Sequence, residues 1–216
     1  MITHFVMKQL QFILLLFLTL NLSAQQTKDE TIFGDVNRIG AFGGPLFEFS
    51  DFGDNPNTAV GGGGALILDD FFLGGYGMGG IDFSDIETDG STTQSIQDLD
   101  FGHGGLWLGI TPKQEKAIHP FGAVKLGWGS VNYEVVTDLW SGNEETNKVK
   151  DRVFVVTPEA GVEFNIFDFF RLATTVNYRL VDGLDRNLNG FEDKDFSKLG
   201  ATLTLRFGGF GNYWWD

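Results

Sequence analysis

The segment DFFRLATTVNYRLVDG, residues 168–183, alternates between apolar and polar side chains. Leu172 and Val176 share one parity with other apolar residues, whereas Arg171 and Arg179 lie on the opposite parity. A period of two is typical of a β-strand, because its successive side chains point to opposite faces. A soluble sheet would bury the apolar face and a membrane barrel would turn it to lipid, so this segment alone leaves both folds open.

Similar segments recur along the chain. The last one, SKLGATLTLRFGGF, places Leu203, Leu205 and Phe207 on one parity and Arg206 on the other. Glycine accounts for 30 and phenylalanine for 22 of the 216 residues, and long helix-period segments are missing, which favours an all-β chain. Alternation and turn residues together predict eight strands. The predicted strands cover residues 38–50, 58–68, 71–83, 99–111, 119–134, 151–166, 169–181 and 196–208.

The predicted connections alternate in length. Three are short, at residues 69–70, 112–118 and 167–168. Three are long and polar, at residues 84–98, 135–150 and 182–195. The first connection, around DFGDNPNT, is of modest length and is an exception to the alternation. This asymmetry is typical of bacterial outer-membrane barrels. The predicted fold is therefore all-β, an eight-stranded antiparallel up-and-down transmembrane β-barrel in the cell outer membrane, with short periplasmic turns and longer extracellular loops.

Two local features refine this prediction. Phenylalanines crowd the short-turn end and predict an aromatic girdle at the membrane interface. They are Phe71, Phe72, Phe121, Phe167, Phe169, Phe170, Phe207 and Phe210. In the fifth strand the apolar parity shifts near Gly129 and Ser130 to include Val131, which predicts a β-bulge there.

The N-terminus has the pattern of a secretory signal. Lys8 precedes an apolar run from Phe12 to Leu22, and Ala24 precedes polar Gln25. The run is shorter than the roughly 20 residues of a membrane-spanning helix, so cleavage after Ala24 is predicted. The chain has no cysteine, which excludes a lipid-modified cysteine anchor and disulfides. The predicted segments are a signal peptide at 1–24, an N-terminal periplasmic segment at 25–37, the barrel domain at 38–210 and a C-terminal tail at 211–216.

The polar parity of the predicted strands carries charged residues. Eight strands leave a lumen just wide enough for side chains, where an unpaired charge would be costly. The polar parity is therefore expected to hold paired charges. The candidate lumen charge network consists of Lys125, Glu159, Glu163, Arg171 and Arg206. A continuous pore is not expected in such a barrel, but a gated narrow one stays open as an alternative.

The last long loop, DRNLNGFEDKD, resembles the first two-thirds of an EF-hand calcium loop. Oxygen ligands at alternate positions suit a hard cation, and they would come from Asp185, Asn187, Asn189 and Asp193. The twelfth position is Phe196, where a bidentate glutamate would belong. Calcium binding and a solvated acidic turn are therefore competing interpretations, and the sequence indicates no other cofactor.

Few residues indicate catalysis. His103 and His119 would suit a membrane-embedded lipid hydrolase only with a nucleophile within hydrogen-bond reach, and no local serine pairing is evident. Both histidines are predicted to be structural, no catalytic residue is assigned, and the protein is not expected to be an enzyme. Trp140 lies in a long loop, where it would contact a partner or lipopolysaccharide or pack within the loop.

The net charge of −14 argues against nucleic acid as a partner. The expected partners are outer-membrane lipid, lipopolysaccharide and, during biogenesis, the barrel-insertion machinery. A monomer is expected.

Several stretches also resemble a known family. AFGGPLFEFS, DFGHGGLWLGI, VFVVTPEAGVEFNIFDFFRLA and FSKLGATLTLRFGGF are similar to the small outer-membrane β-barrel proteins widespread in Bacteroidota, an uncharacterised family. The resemblance covers nearly the whole mature chain and implies an eight-stranded outer-membrane barrel, but it implies no catalytic or ligand residue. The tail GNYWWD departs from it. The leading function is a non-enzymatic structural or loop-binding barrel; the alternatives are a narrow channel or solute carrier, a lipid-modifying enzyme and a lipocalin-like secreted binder.

Overall fold

The computed structural model describes residues 36–52, 55–81, 94–138, 144–184 and 193–211. These residues form strands β1 Ile39–Phe52, β2 Asn55–Leu68, β3 Phe71–Ile81, β4 Gln94–Ile110, β5 Ile118–Asp138, β6 Glu144–Phe167, β7 Phe170–Tyr178, β8 Leu180–Asp182 and β9 Leu199–Gly209, and the short helix α1 Asp193–Phe196. No helix in these ranges is long and apolar enough to cross a bilayer. The predicted signal peptide, residues 25–35 of the predicted periplasmic segment and residues 212–216 of the predicted tail lie outside the described residues.

Antiparallel pairing closes the strands into a barrel. Each strand from β1 to β6 pairs with the next one along the chain. β9 joins β7 to β1 and completes the ring. β7 and β8 both pair with β6 and are separated by Arg179 alone, so together they form one wall strand. The predicted eight-stranded antiparallel barrel is therefore confirmed.

The predicted sorting of connection lengths is not confirmed. β5 continues to Asp138 and β6 begins at Glu144, and the two are paired along this whole stretch. Most of the predicted connection 135–150 is therefore strand. At the same end of the barrel, only residues 53–54 separate β1 from β2, whereas residues 111–117 separate β4 from β5 at the other end. Polar and apolar residues alternate only weakly in these stretches, so the sequence pattern predicts a loop there.

β5 is regular where a bulge was predicted. Gly129 and Ser130 pair in continuous register with both neighbouring strands, and Val131 is fully buried inside the barrel. The predicted bulge is wrong because Val131 continues the inward parity of Lys125, Gly127 and Gly129 without a shift. The irregularity lies instead in β4, between Gln97 and Asp100.

The two faces of the wall differ in polarity. On β7 the inward side chains of Arg171, Thr175 and Asn177 are buried, whereas Val176 and Tyr178 are exposed on the outside. The same pattern extends around the barrel, where large apolar side chains are exposed on the outer surface. They include Ile39, Leu66, Phe71, Leu73, Leu106, Ile110, Ile118, Trp128, Val162, Phe167, Leu180, Leu199 and Phe207. A soluble barrel has the reverse arrangement.

Two strand glycines make room for large inward side chains. A Cβ atom at Gly109 would overlap the ring of Phe72, and one at Gly127 would overlap the hydroxyl of Tyr76. Gly109 is the direct cross-strand partner of Phe72, and Gly127 pairs with Gly105, the partner of Tyr76, so each ring lies over a neighbouring wall position that carries no side chain.

We expect the substitution Gly109→Ala to destabilise the barrel by about 1–3 kcal/mol, because the Phe72 ring must shift within a packed interior. Gly77→Ala is the matched control, since nothing lies within 4 Å of the position its Cβ would take. The free energy of unfolding of both variants can be measured by denaturant titration in lipid vesicles. Equal stability of the two variants would contradict the packing described here.

Candidate functional site, a packed ionic lumen

The five residues of the candidate network come from four adjacent wall strands, β5, β6, β7 and β9. Arg171 of β7 and Arg206 of β9 are direct cross-strand partners. Like charges in this position destabilise a sheet unless a counter-charge lies nearby. Glu163, on the neighbouring strand β6, supplies that counter-charge.

Glu163 is the centre of the first group of contacts. Its Oε1 accepts a hydrogen bond from Arg171 at 3.1 Å and lies 3.1 Å from Nε2 of His119. Its Oε2 accepts a hydrogen bond from Arg206. The carboxylate is fully buried. A buried carboxylate between two guanidinium groups is stable only while all the partners remain in place.

An aromatic cage encloses the guanidinium of Arg206. Its Cζ lies 3.6 Å from the ring centroid of Phe42, 5.0 Å from that of Phe72, 5.4 Å from that of Phe121 and 5.7 Å from that of Phe210. A planar guanidinium stacks well on aromatic faces, and the cation–π attraction is stronger away from water. The cage therefore compensates in part for the burial of this cation.

The positions of these phenylalanines differ from the predicted aromatic girdle, which is wrong for part of its members. Phe72, Phe121 and Phe210 are buried inside the barrel rather than facing outward. Since neighbouring residues of a strand point to opposite faces, the adjacent pair Phe71 and Phe72 could not both belong to an outer girdle. The members of the predicted girdle that are exposed on the outside are Phe71, Phe167, Phe169 and Phe207.

Glu159 is the centre of the second group. Its Oε2 accepts hydrogen bonds from Nζ of Lys125 at 3.0 Å and from the hydroxyl of Thr175 at 3.2 Å. Its Oε1 accepts a hydrogen bond from Nε1 of Trp107 at 3.0 Å. The ammonium of Lys125 also lies 5.8 Å from the centroid of the Trp107 ring and 6.0 Å from that of Tyr76. Trp107 is fully buried and fills the lumen beside this ion pair.

A third ion pair was missed by the sequence analysis. Nη1 of Arg179 donates a hydrogen bond to Oε1 of Glu48 at 2.6 Å, and both side chains are buried. Arg179 was placed on the polar parity, but Glu48 was not singled out. Its signal is that it is the only charged residue of the otherwise apolar stretch AFGGPLFEFS.

Buried side chains close the lumen towards both ends. At the end formed by residues 111–117, buried Gln114 donates a hydrogen bond to the backbone oxygen of Asp69 and accepts one from Arg171 at 3.3 Å. At the other end, Phe196 of α1 is fully buried, its ring lies 5.4 Å from that of Phe101, and its carbonyl accepts a hydrogen bond from Arg179 at 2.9 Å. The described residues thus fill the lumen with paired charges and rings.

Neither histidine contacts a serine among the residues that the structure describes. Nδ1 of His103 lies 3.0 Å from the hydroxyl of Tyr76. Nδ1 of His119 donates to the backbone oxygen of Lys116 at 3.1 Å, and its Nε2 faces Glu163. Each imidazole is therefore positioned by the lumen contacts around it.

Most of the predicted calcium loop lies outside the residues that the structure describes. Asp185, Asn187 and Asn189 lie outside the described residues, as does Trp140. Oδ1 of Asp193 accepts a hydrogen bond from the backbone N–H of Leu184 at 3.0 Å. Within the described ranges no group of three or more acidic, histidine or cysteine side chains could hold a metal ion.

Comparisons with known proteins gave remote similarities of structure. The N-terminal β-barrel domain of Pseudomonas aeruginosa OprF matches with a TM-score of 0.45 and 12% sequence identity, covering 80% of this chain and 97% of that chain. Neisserial surface protein A matches with a TM-score of 0.39 and 9% identity, covering 81% and 97%. Ail, the attachment invasion locus protein of Yersinia pestis, matches with a TM-score of 0.40 and 13% identity, covering 81% and 99%. No protein-family model and no curated protein matches the chain.

Proposed function

We propose that the protein is an integral outer-membrane β-barrel with a closed lumen and without enzymatic activity. In this proposal it supports the cell envelope or binds partners through the end of the barrel that carries α1. The observation that carries the proposal is the inverted polarity of the wall, with apolar side chains outside and paired charges inside.

The outer face of β5 supports a membrane location. Its outward side chains are apolar or glycine from Ile118, which is 61% exposed, to Trp128, which is 62% exposed. This length matches the roughly 9–11 residues that a tilted strand needs to cross the hydrocarbon core. Ser130 and Asn132 follow on the same face, so the apolar band ends at Trp128. Exposed apolar side chains of this size would be unfavourable in water.

The filled lumen argues against the channel alternative. Trp107, the cage around Arg206 and the ion pair of Lys125 with Glu159 occupy the space in which a solute would pass. A polar, ion-paired interior likewise gives no support to a lipocalin-like binder of apolar ligands. Transport would require several buried charges to separate at once, which is costly.

The proposal also covers the biogenesis of the barrel and its partners. The barrel-insertion machinery would assemble the chain, and the mature barrel would be a monomer surrounded by outer-membrane lipid and lipopolysaccharide. The proposal includes no cofactor, and calorimetry would test calcium binding by the loop around residues 185–193. The resemblance to small barrels of Bacteroidota agrees with this proposal.

Reconstitution into lipid vesicles tests the proposal. We expect the purified protein to float with the vesicles and to migrate faster on a gel when it is not boiled, because a closed barrel resists the detergent. In planar bilayers we expect no conductance steps, while a sixteen-stranded porin measured in parallel should give them. A protein that stays in the soluble fraction, with the same mobility boiled and unboiled, would overturn the membrane assignment. Reproducible steps from the purified barrel would overturn the closed lumen.

A further inference from the structure

A groove lies on the outer wall of the barrel where β4, β5 and β6 run side by side. Its volume is about 470 Å³. Its outer surface is formed by Gly102, Gly104, Trp128, Ser130, Lys150 and Arg152. Cross-strand register explains this set, because Gly104 pairs with Trp128, and Gly102 pairs with Ser130, which pairs in turn with Arg152.

The groove is a shallow, open depression, and its floor is the backbone of β4, because β4 contributes no side chain to it. Gly102 and Gly104 are the outward residues of β4 at this level, so the backbone itself is the surface. The ring of Trp128 forms one wall and is supported by Phe154 of β6, with the ring centroids 5.5 Å apart. A depression bounded by aromatic rings suits an acyl chain or the apolar face of a sugar.

Two cationic residues follow the aromatic rings along the outer wall, towards the end of the barrel that carries α1. Lys150 and Arg152 are two residues apart on β6, so both side chains leave the same face about 7 Å from each other. Both are exposed, and neither forms an ion pair with the residues that the structure describes. In a protein with a net charge of −14, two adjacent cations with no ion-pair partner among the described residues form a local site for an anion.

The position of the groove along the barrel wall favours a lipid headgroup as the source of the anion. Outward residues of β6 are apolar from Ile166 to Phe154, and the next outward residue is Arg152. Trp128 and Phe154 therefore lie where aromatic residues mark the edge of the hydrocarbon core. The two cations lie just beyond that edge, at the level of lipid headgroups, where phosphate is the main fixed anion.

We propose that the end of the barrel carrying α1 faces outward and that this groove binds a phosphorylated glycolipid of the outer leaflet, with Lys150 and Arg152 on its phosphate and Trp128 against its sugar or first acyl carbons. Arginine donates two parallel hydrogen bonds to a phosphate and lysine adds a point charge. The glycine floor accepts one acyl chain. This inference rests on the proposed membrane function and adds a ligand class and a defined site to it.

Native mass spectrometry of the full-length mature barrel with lipid A tests the site. We expect the wild-type barrel to retain one tightly bound lipid A. The double variant Lys150→Glu/Arg152→Glu should bind it at least about tenfold more weakly, because two attractive contacts become repulsive. Trp128→Ala should weaken binding about threefold through the lost ring contact.

The control is the double variant Lys113→Glu/Lys116→Glu, which makes the same change in net charge at exposed positions near the opposite end of the barrel. It should bind lipid A like the wild type. Equal affinity of the two double variants would overturn the proposal, and so would equal binding of dephosphorylated lipid A or displacement of lipid A by inorganic phosphate. Flotation and heat-dependent gel mobility of each variant are measured separately, so that a failure of membrane insertion is distinguished from a failure of the groove.

Discussion

Replacing Glu163 with alanine is expected to lower the free energy of unfolding by about 3–5 kcal/mol. The substitution leaves the guanidinium groups of Arg171 and Arg206 facing each other across two paired strands without their counter-charge. Arg206 is buried within the aromatic cage and Arg171 is largely buried beside Gln114, so neither charge is fully hydrated when the carboxylate is lost. Denaturant titration in lipid vesicles, followed by gel mobility, measures the loss.

Two further variants make the Glu163 result specific. Glu163→Gln keeps a hydrogen-bond acceptor but loses the charge, so its loss of stability should be smaller than that of Glu163→Ala. Glu115→Ala removes an exposed glutamate from the nearby connection and should change stability by less than about 0.5 kcal/mol. If Glu163→Ala behaved like Glu115→Ala, the lumen charges could not be paired as the structure describes them.

Lys125 and Glu159 should show strong coupling in a double-mutant cycle. Lys125→Met leaves a buried carboxylate without its cation, and Glu159→Gln leaves a buried ammonium without its anion, so each single variant should lose about 3 kcal/mol. The double variant Lys125→Met/Glu159→Gln contains neither charge, and its glutamine oxygen can still accept the hydrogen bond of Trp107. We expect it to recover part of the loss, with an interaction energy of about 1–3 kcal/mol.

The same vesicle titration measures all four proteins of this cycle. Additive losses, in which the double variant loses the sum of the two single variants, would contradict a direct ion pair. The pair Glu115→Gln and Lys116→Met is a suitable control, because both side chains are exposed in the connection between β4 and β5.

The strands with strict alternation could be predicted from sequence. In β7 and β9 the charged residues share one parity with polar or small residues and the large apolar residues share the other, so the face of Arg171 and Arg206 followed from parity alone. Lys125, Glu159 and Glu163 were assigned to the lumen for the same reason. The low dielectric of a narrow lumen requires counter-charges, which made pairing predictable without any knowledge of distances.

The partners of these charges could not all be predicted. The parity of a residue predicts which face of the strand it lies on, but not its position along the barrel axis. The contacts of Glu163 with two arginines and of Glu159 with Trp107 depend on the register between strands, which parity does not give. The cage around Arg206 was missed because phenylalanine is compatible with either face at a strand end. Glu48 was missed because a single charge in an apolar strand gives no periodic signal.

The ends of the strands were the least predictable part of the fold. β5 and β6 extend well beyond the apolar band, to Asp138 and Glu144. Outside a membrane both faces of a strand can be polar, so the alternation that identifies a strand fades there. Backbone pairing continues without that signal, and the sequence pattern therefore predicted a loop.

Spin labelling in proteoliposomes tests the inverted polarity of the wall most directly. The chain has no cysteine, so single cysteines can be introduced and labelled at chosen sites. Labels at Leu172, Thr174 and Val176, on the outward face of β7, should collide frequently with oxygen and rarely with a water-soluble nickel complex. A label at exposed Glu115 is the aqueous control and should show the reverse. If the outward labels were as accessible to the nickel complex as the control, the apolar face would not meet lipid and the central claim would be wrong.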